Sequence, residues 1–152
     1  MKLVKYRVTK FRSVQDSGWI TLDLVNALLG ENESGETNLL LPLWKLNPAS
    51  DGEIDLLSDA PRNEYSEIRA LDPEKRPIFI SAIFECNDKE SEIISGIAKC
   101  DKSWIRTIKF SRKYNGKYYV SFPDANLTRS IKKANIGSTL EEYKKTIEAI
   151  EP

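Results

Sequence analysis

The stretch Val25-Asn26-Ala27-Leu28-Leu29-Gly30-Glu31-Asn32-Glu33-Ser34-Gly35-Glu36-Thr37-Asn38-Leu39-Leu40-Leu41 decides the architecture. Val25 to Leu29 is a short, mostly apolar run of the kind a buried strand requires. It stops at Gly30, and two glycines then bracket the four polar residues Glu31 to Ser34. From Thr37 onward, Leu39, Leu40, Leu43, Trp44 and Leu46 recur at helical spacings. Pro42 interrupts them, which a helix accepts only in its first turn or at a kink. Asn47-Pro48 closes the segment. The reading is strand, tight polar loop, helix.

Upstream, Leu3, Val4, Tyr6, Val8 and Phe11 follow an approximate period of two through Lys2, Lys5, Arg7 and Lys10, as in a strand with one wet face. Gly18 marks a turn, and Trp19 to Leu24 reads as a second alternating strand. Downstream, the chain turns polar, with Asp51-Gly52, Pro61 and Pro73. A structureless loop of that length is uncommon in a compact domain, so 48–76 is expected to be an insertion that packs over something, with one short helix over Tyr65 to Ala70. Pro77 to Cys86 is the clearest strand. Lys89 to Lys99 reads as a helix with Ile93, Ile94 and Ile97 on one side. Trp104 to Tyr114 and Lys117 to Phe122 flank Asn115-Gly116, a strong hairpin signal. A capping box of Ser138-Thr139 with Glu141-Glu142 opens a final helix to about Ile150. The expectation is a single α/β domain over 1–152: a mixed sheet with an antiparallel meander and flanking helices.

Composition narrows the chemistry. Lys plus Arg equals Asp plus Glu at 23 each, so there is no global attraction for nucleic acid or membrane. The absence of histidine removes His-based acid–base catalysis, Ser-His-Asp triads and His-containing zinc sites. Cys86 and Cys100 lack metal-ligand spacing and are too few for a disulfide framework, which leaves buried, reduced thiols. The N-terminus MKLVKYRVTKFRS has no apolar core of a signal peptide, and no run approaches the ~18 apolar residues of a membrane span. A cytoplasmic protein without a membrane partner is expected.

The string Gly30 to Thr37 matches the P-loop pattern G-x-x-x-x-G-K-[ST] at every required position except the lysine, which is Glu36. In that pattern the backbone N–H groups wrap phosphates, the lysine reaches the β- and γ-phosphates, and the hydroxyl holds magnesium. Without the lysine the residual pattern should occur by chance in about one chain in ten of this size. The strand before it and the helix after it supply the specificity.

The chain resembles the N-terminal, P-loop-bearing part of ATP-binding-cassette ATPases of the SMC/RecF/OLD type. Val8-Thr9-Lys10-Phe11-Arg12-Ser13 looks like their opening strand, which ends in N-F-[KR]-S, and Gly30 to Leu40 looks like their G-x-N-x-[SG]-G-K-[ST]-[NST]-L-L. The likeness covers roughly the first 47 residues. It implies that Gly30, Asn32, Ser34 and Gly35 cradle the phosphates of ATP, that Thr37 ligates Mg2+, and that Asn38 lies near the α-phosphate. Arg12 and Ser13 would line the pocket from the first strand, and Glu36 would stand in the lysine position. Lysine to glutamate removes one attraction and adds one repulsion. At an effective dielectric of about 20, each is worth about 4 kcal/mol before screening. With three-quarters screened, the change is ~2 kcal/mol, about 30-fold in affinity. Hydrolysis should suffer more than binding, because charge gathers on the γ-phosphate in the transition state.

The resemblance also implies what this sequence lacks. There is no apolar run ending in Asp-Glu, no Ser-Gly-Gly-rich signature and no switch histidine. The chain is therefore expected to be half of a nucleotide-binding domain from a DNA-directed ATPase of the repair or phage-defence kind, with weak or no ATP and Mg2+ binding and no turnover. The alternative is a non-catalytic module that dimerises with itself or with an intact ATPase partner. The aromatic and basic residues of the hairpin fit a two-faced sheet better than a single-strand binding surface.

Overall fold

The computed structural model describes residues 1–27, 35–48 and 52–125. Strand β1 (Lys2–Phe11) runs along the centre of the sheet. A two-residue turn at Arg12-Ser13 reverses the chain into β2 (Val14–Asp16), and after the Ser17-Gly18-Trp19 bend β3 (Ile20–Thr21) pairs further back along the same edge of β1. Helix α1 (Glu36–Leu46) follows, then the short helices α2 (Leu56–Asp59) and α3 (Tyr65–Ala70). Strand β4 (Ile78–Glu85) lies on the other edge of β1, and helix α4 (Asp88–Ala98) leads to the hairpin of β5 (Thr107–Lys113) and β6 (Tyr118–Ser121). The result is an α/β fold on a six-stranded sheet, ordered β2-β1-β4-β5-β6 with β3 beside β1.

Every described pairing is antiparallel, so the mixed sheet expected from the sequence is not formed by these residues. The reason lies after β3. The buried strand expected over Val25–Leu29 is absent across its described part, and Leu24 and Val25 are 91% and 87% exposed. Asp23 and Asn26 instead close a local turn. The Asn26 amide donates to the Asp23 carbonyl (2.9 Å), and its side-chain oxygen accepts from the Asp23 N–H (3.1 Å). Such side-chain bonds offer the backbone an alternative to a sheet ladder. The alternating strand expected over Trp19 to Leu24 is likewise reduced to Ile20–Thr21.

The core sits between one sheet face and the helices α1 to α3. Tyr6, Val8, Phe11, Phe79, Ile80, Ala82 and Tyr114 are buried there with Leu46, Ala60 and Ile68. Phe79 contacts the Phe11 and Tyr114 rings at centroid distances of 5.8 and 5.2 Å, in tilted geometries that aromatic pairs favour. The described part of the 48–76 excursion supplies Ala60 and Ile68 to this core, and Lys10 on β1 pairs with Glu64 ahead of α3. Besides the expected α3, it contains α2 and a 3-10 turn at Pro73–Lys75.

The Asn115-Gly116 hairpin forms as read, with Gly116 at φ 80°. Its two-faced character holds in part: Phe110 packs edge-on to Phe84 and Tyr114 is buried, whereas Tyr118 is half exposed beneath Arg112. On α4, Ile93 and Ile97 face solvent. Both cysteines are free thiols of intermediate exposure, less buried than expected, and partial burial pushes the Cys86 thiol up. Among the described residues no helix is long and apolar enough to cross a membrane. The C-terminal helix expected from Ser138 lies outside the described residues, as do Gly30, Asn32 and Ser34 of the loop.

A candidate anion-binding cleft

The turn after β1 is strained where it matters. Arg12 adopts φ 50°, a left-handed conformation that costs a non-glycine residue about 1–2 kcal/mol. Several bonds hold it. The Arg12 N–H donates to the carbonyl of Asp59 (2.9 Å), and its Nε donates to the carbonyl of Ser58 (3.1 Å). Its Nη1 lies 3.5 Å from the Asn38 side-chain oxygen, and its Nη2 lies 3.9 Å from Asp59 Oδ1. Backbone strain held in place by several independent contacts is a feature of ligand sites.

Asp59 organises the surroundings from a fully buried position. Its Oδ2 accepts from the ammonium of Lys45 on α1 and from the Asp55 N–H (3.0 Å), while Oδ1 has no hydrogen bond. Its carbonyl also lies 3.0 Å from the Tyr114 hydroxyl, which is 2.7 Å from the carbonyl of Lys10. Burial, with the Asp59 carboxylate nearby, drives the Tyr114 phenol far above its usual range, so it serves as a neutral donor. The end of β1, helix α2 and the last turn of α1 are thereby tied to one buried residue, the first through its carbonyl and the last through its carboxylate.

Helix α1 starts against the same turn. Gly35 takes φ 109°, a conformation that favours glycine, and a Cβ there would meet Ser13 Oγ at 3.4 Å, an ordinary contact, so it is glycine's conformational freedom that the position uses. The helix start has no side-chain cap. The Asn38 amide instead donates to Ser13 Oγ (2.8 Å), and its oxygen faces Arg12. Pro42, buried inside the helix, has no N–H to bond back to the Asn38 carbonyl.

These elements surround a cleft of about 680 Å³. Arg12, Ser13 and Asn38 form one wall; Ser58, Arg62 and Asn63, with Leu57 and Ala60, form the other. Among the described residues, two guanidinium groups and no carboxylate line it. Arg62 is exposed, without a hydrogen bond or ion pair to any described residue. Guanidinium forks, amides and hydroxyls facing open volume suit an anion with several acceptor oxygens.

Of the site residues the sequence indicates, the structure brings together Arg12, Ser13, Gly35 and Asn38. Glu36 and Thr37 are placed elsewhere. Glu36 lines a separate hollow of about 260 Å³ with Tyr6, Ile20, Leu22, Leu40 and Leu43, and Thr37 is exposed and lines neither space. Successive helix positions differ by about 100°, so residues 36 and 38 point to different sides. Sequence reading missed Ser58, Asp59, Arg62 and Asn63, all within the polar excursion, where nothing distinguishes Asp59-Ala60-Pro61-Arg62-Asn63 from an ordinary solvated loop.

Magnesium does not fit the described cleft on its own. It offers hydroxyls and amides but no carboxylate, and no group of three or more metal-ligating side chains occurs among the described residues. No family model matches the chain, and a search of curated proteins finds no match.

Proposed function

We propose that this chain is the N-terminal lobe of a P-loop ATPase of the SMC/RecF/OLD type and binds the phosphates of ATP weakly, without hydrolysing them. The observation that carries the reading is the cleft where the turn after β1 meets the start of α1, lined by Arg12 and Arg62 and, among the described residues, by no carboxylate. That junction is where the resemblance puts the nucleotide.

The phosphates take hydrogen bonds from Arg12, Arg62 and Asn38, and Ser13 and Gly35 let the helix start approach them. Were magnesium to accompany the phosphates, Thr37 is the residue of this chain that the resemblance would assign to hold it. Turnover is not expected, because position 36 has no cation for the γ-phosphate and the sequence has no Asp-Glu strand to polarise water. In a DNA-directed assembly, the opposite sheet face offers Lys5 and Lys109, 5.4 and 5.9 Å from the centre of the Trp19 ring. Titration of fluorescent ATP into the unaltered chain and into Arg12→Ala tests the reading. Equal affinities would remove it.

A second reading, a non-catalytic module that dimerises or completes an intact ATPase, is favoured by one observation. Leu24, Val25, Leu40 and Trp44 are exposed apolar side chains, Leu40 beside the Glu36 hollow, and the buried strand expected over Val25–Leu29 is absent across its described part. Sedimentation of the chain alone and with an intact SMC/RecF/OLD-type ATPase tests this reading. A monomer at all concentrations that ignores the ATPase would exclude it.

A further inference from the structure

The sheet has a second face, turned away from the core. Register sets Lys5, Ile83, Lys109 and Ser121 in one row across β1, β4, β5 and β6, and Arg7, Ser81, Ser111 and Tyr119 in the next. Their neighbours along the strands, among them Tyr6, Ala82 and Phe110, point into the core. The Lys5 and Lys109 ammoniums lie 5.4 and 5.9 Å from the centre of the Trp19 ring, which sets that ring over the row between them. Trp19 is 39% exposed, and its indole N–H donates to no described residue. One row on, the Lys113 ammonium lies 4.7 Å from the centre of the Tyr119 ring.

The cations of this face differ in how they are matched. Arg7 bonds to Asp16, and Lys117 bonds to Glu74, so those charges are balanced locally. Lys5 and Lys109 have no carboxylate partner among the described residues. Neither row contains an acidic residue. The described carboxylates stand at the borders. Glu85 lies two residues beyond Ile83 on β4, opposite Thr107, which donates to Asp124. Glu74 lies at the far side, 3.3 Å from the Tyr119 hydroxyl. Two ammoniums thus converge on one ring with nothing described between them to neutralise either.

We propose that this face binds single-stranded nucleic acid, with a base stacked on Trp19 and the flanking phosphates on Lys5 and Lys109. Phosphates supply the charge that two unmatched ammoniums lack, and a flat ring with an unused edge donor suits a base. The Lys113–Tyr119 unit, one row or about 7 Å further along the strands, takes the neighbouring nucleotide. A single strand is required, because a duplex keeps its bases stacked on one another and away from a ring lying on a sheet. The face lies opposite the one that α1 covers, so the proposal does not depend on what the cleft binds.

The test titrates the full chain into a fluorescein-labelled oligothymidylate of about 12 nucleotides at low salt, read by anisotropy. Binding should be saturable and should weaken about fivefold or more in Trp19→Leu, which keeps an apolar cover over Ile83 but offers no ring. Trp19→Phe should recover most of the loss. The slope of log affinity against log salt should become shallower by about 1.4 in the double variant Lys5→Gln/Lys109→Gln, at ~0.7 for each phosphate contact. That readout does not depend on the tryptophan variants folding. No saturable binding, tighter binding of a duplex of the same length or of polyglutamate of the same charge, an unchanged affinity in Trp19→Leu, or an unchanged salt slope in the lysine variant would each overturn the proposal.

Discussion

Two hollows flank the first turn of α1, and they are opposites. One is lined by Arg12, Arg62, Asn38 and Ser13; the other, mostly apolar, by Tyr6, Ile20, Leu22, Leu40 and Leu43 with Asn26 and Glu36. Residues two apart on one helix serve them separately. The comparison revises the cost of Glu36. On the P-loop analogy its carboxylate repels the triphosphate directly, but here Glu36 lines the second hollow and not the cleft. What position 36 lacks is the attraction of a lysine, and a residue outside the cleft lining adds less than the full repulsive half of the ~2 kcal/mol expectation.

The comparison can be broken most forcefully at Asp59. Asp59→Ala leaves the Lys45 ammonium buried without its partner and frees Arg12, and should cost about 3–5 kcal/mol of stability in a denaturant titration. A loss under 1 kcal/mol would mean the carboxylate does not organise the cationic hollow. Arg12→Ala should leave stability within about 1 kcal/mol and weaken ATP binding about tenfold or more, the worth of a hydrogen bond to a charged group. Glu36→Lys should tighten binding about fivefold, which is ~1 kcal/mol. A gain of 30-fold would place the Glu36 carboxylate at the phosphates after all.

The smallest effect concerns the strand pair that carries the Arg12 turn. Arg7 bonds to Asp16 across β1 and β2 and, with the Gly18 N–H, holds the Asp16 carboxyl down at about 2. A carboxyl lowered on folding stabilises the protein above its unfolded value near 4. That contribution is lost as pH falls from about 4 toward 2. Carboxyl chemical shifts followed by NMR should show Asp16 titrating near 2 in the unaltered chain and nearer its ordinary value in Arg7→Ala.

Much of the fold was legible because its signals are local. The alternation of β1, the apolar run of β4, the Asn115-Gly116 turn and the helix after Gly35 each follow from neighbouring residues. The strand over Val25–Leu29 was misread across its described part for the converse reason: an apolar run becomes a strand only beside a partner, and Asp23 and Asn26 supply a competing turn. Of the residues that line the cleft, Arg12, Ser13 and Asn38 are ones the resemblance names. Asp59, Arg62 and Asn63 were not legible, since only tertiary contact brings residues 46 to 51 positions beyond Arg12 and Ser13 beside that turn. Glu36 was legible as a departure from the pattern, but the direction of its side chain was not.

The central claim, that a cationic cleft at the start of α1 binds a triphosphate, is tested most directly by calorimetric titration of ATP at low salt into the unaltered chain and Arg12→Ala. Saturable binding with Kd on the order of 0.1–1 mM, weakened about tenfold by the substitution, is the predicted result. No saturable binding to the unaltered chain, or the same Kd in both, would contradict it.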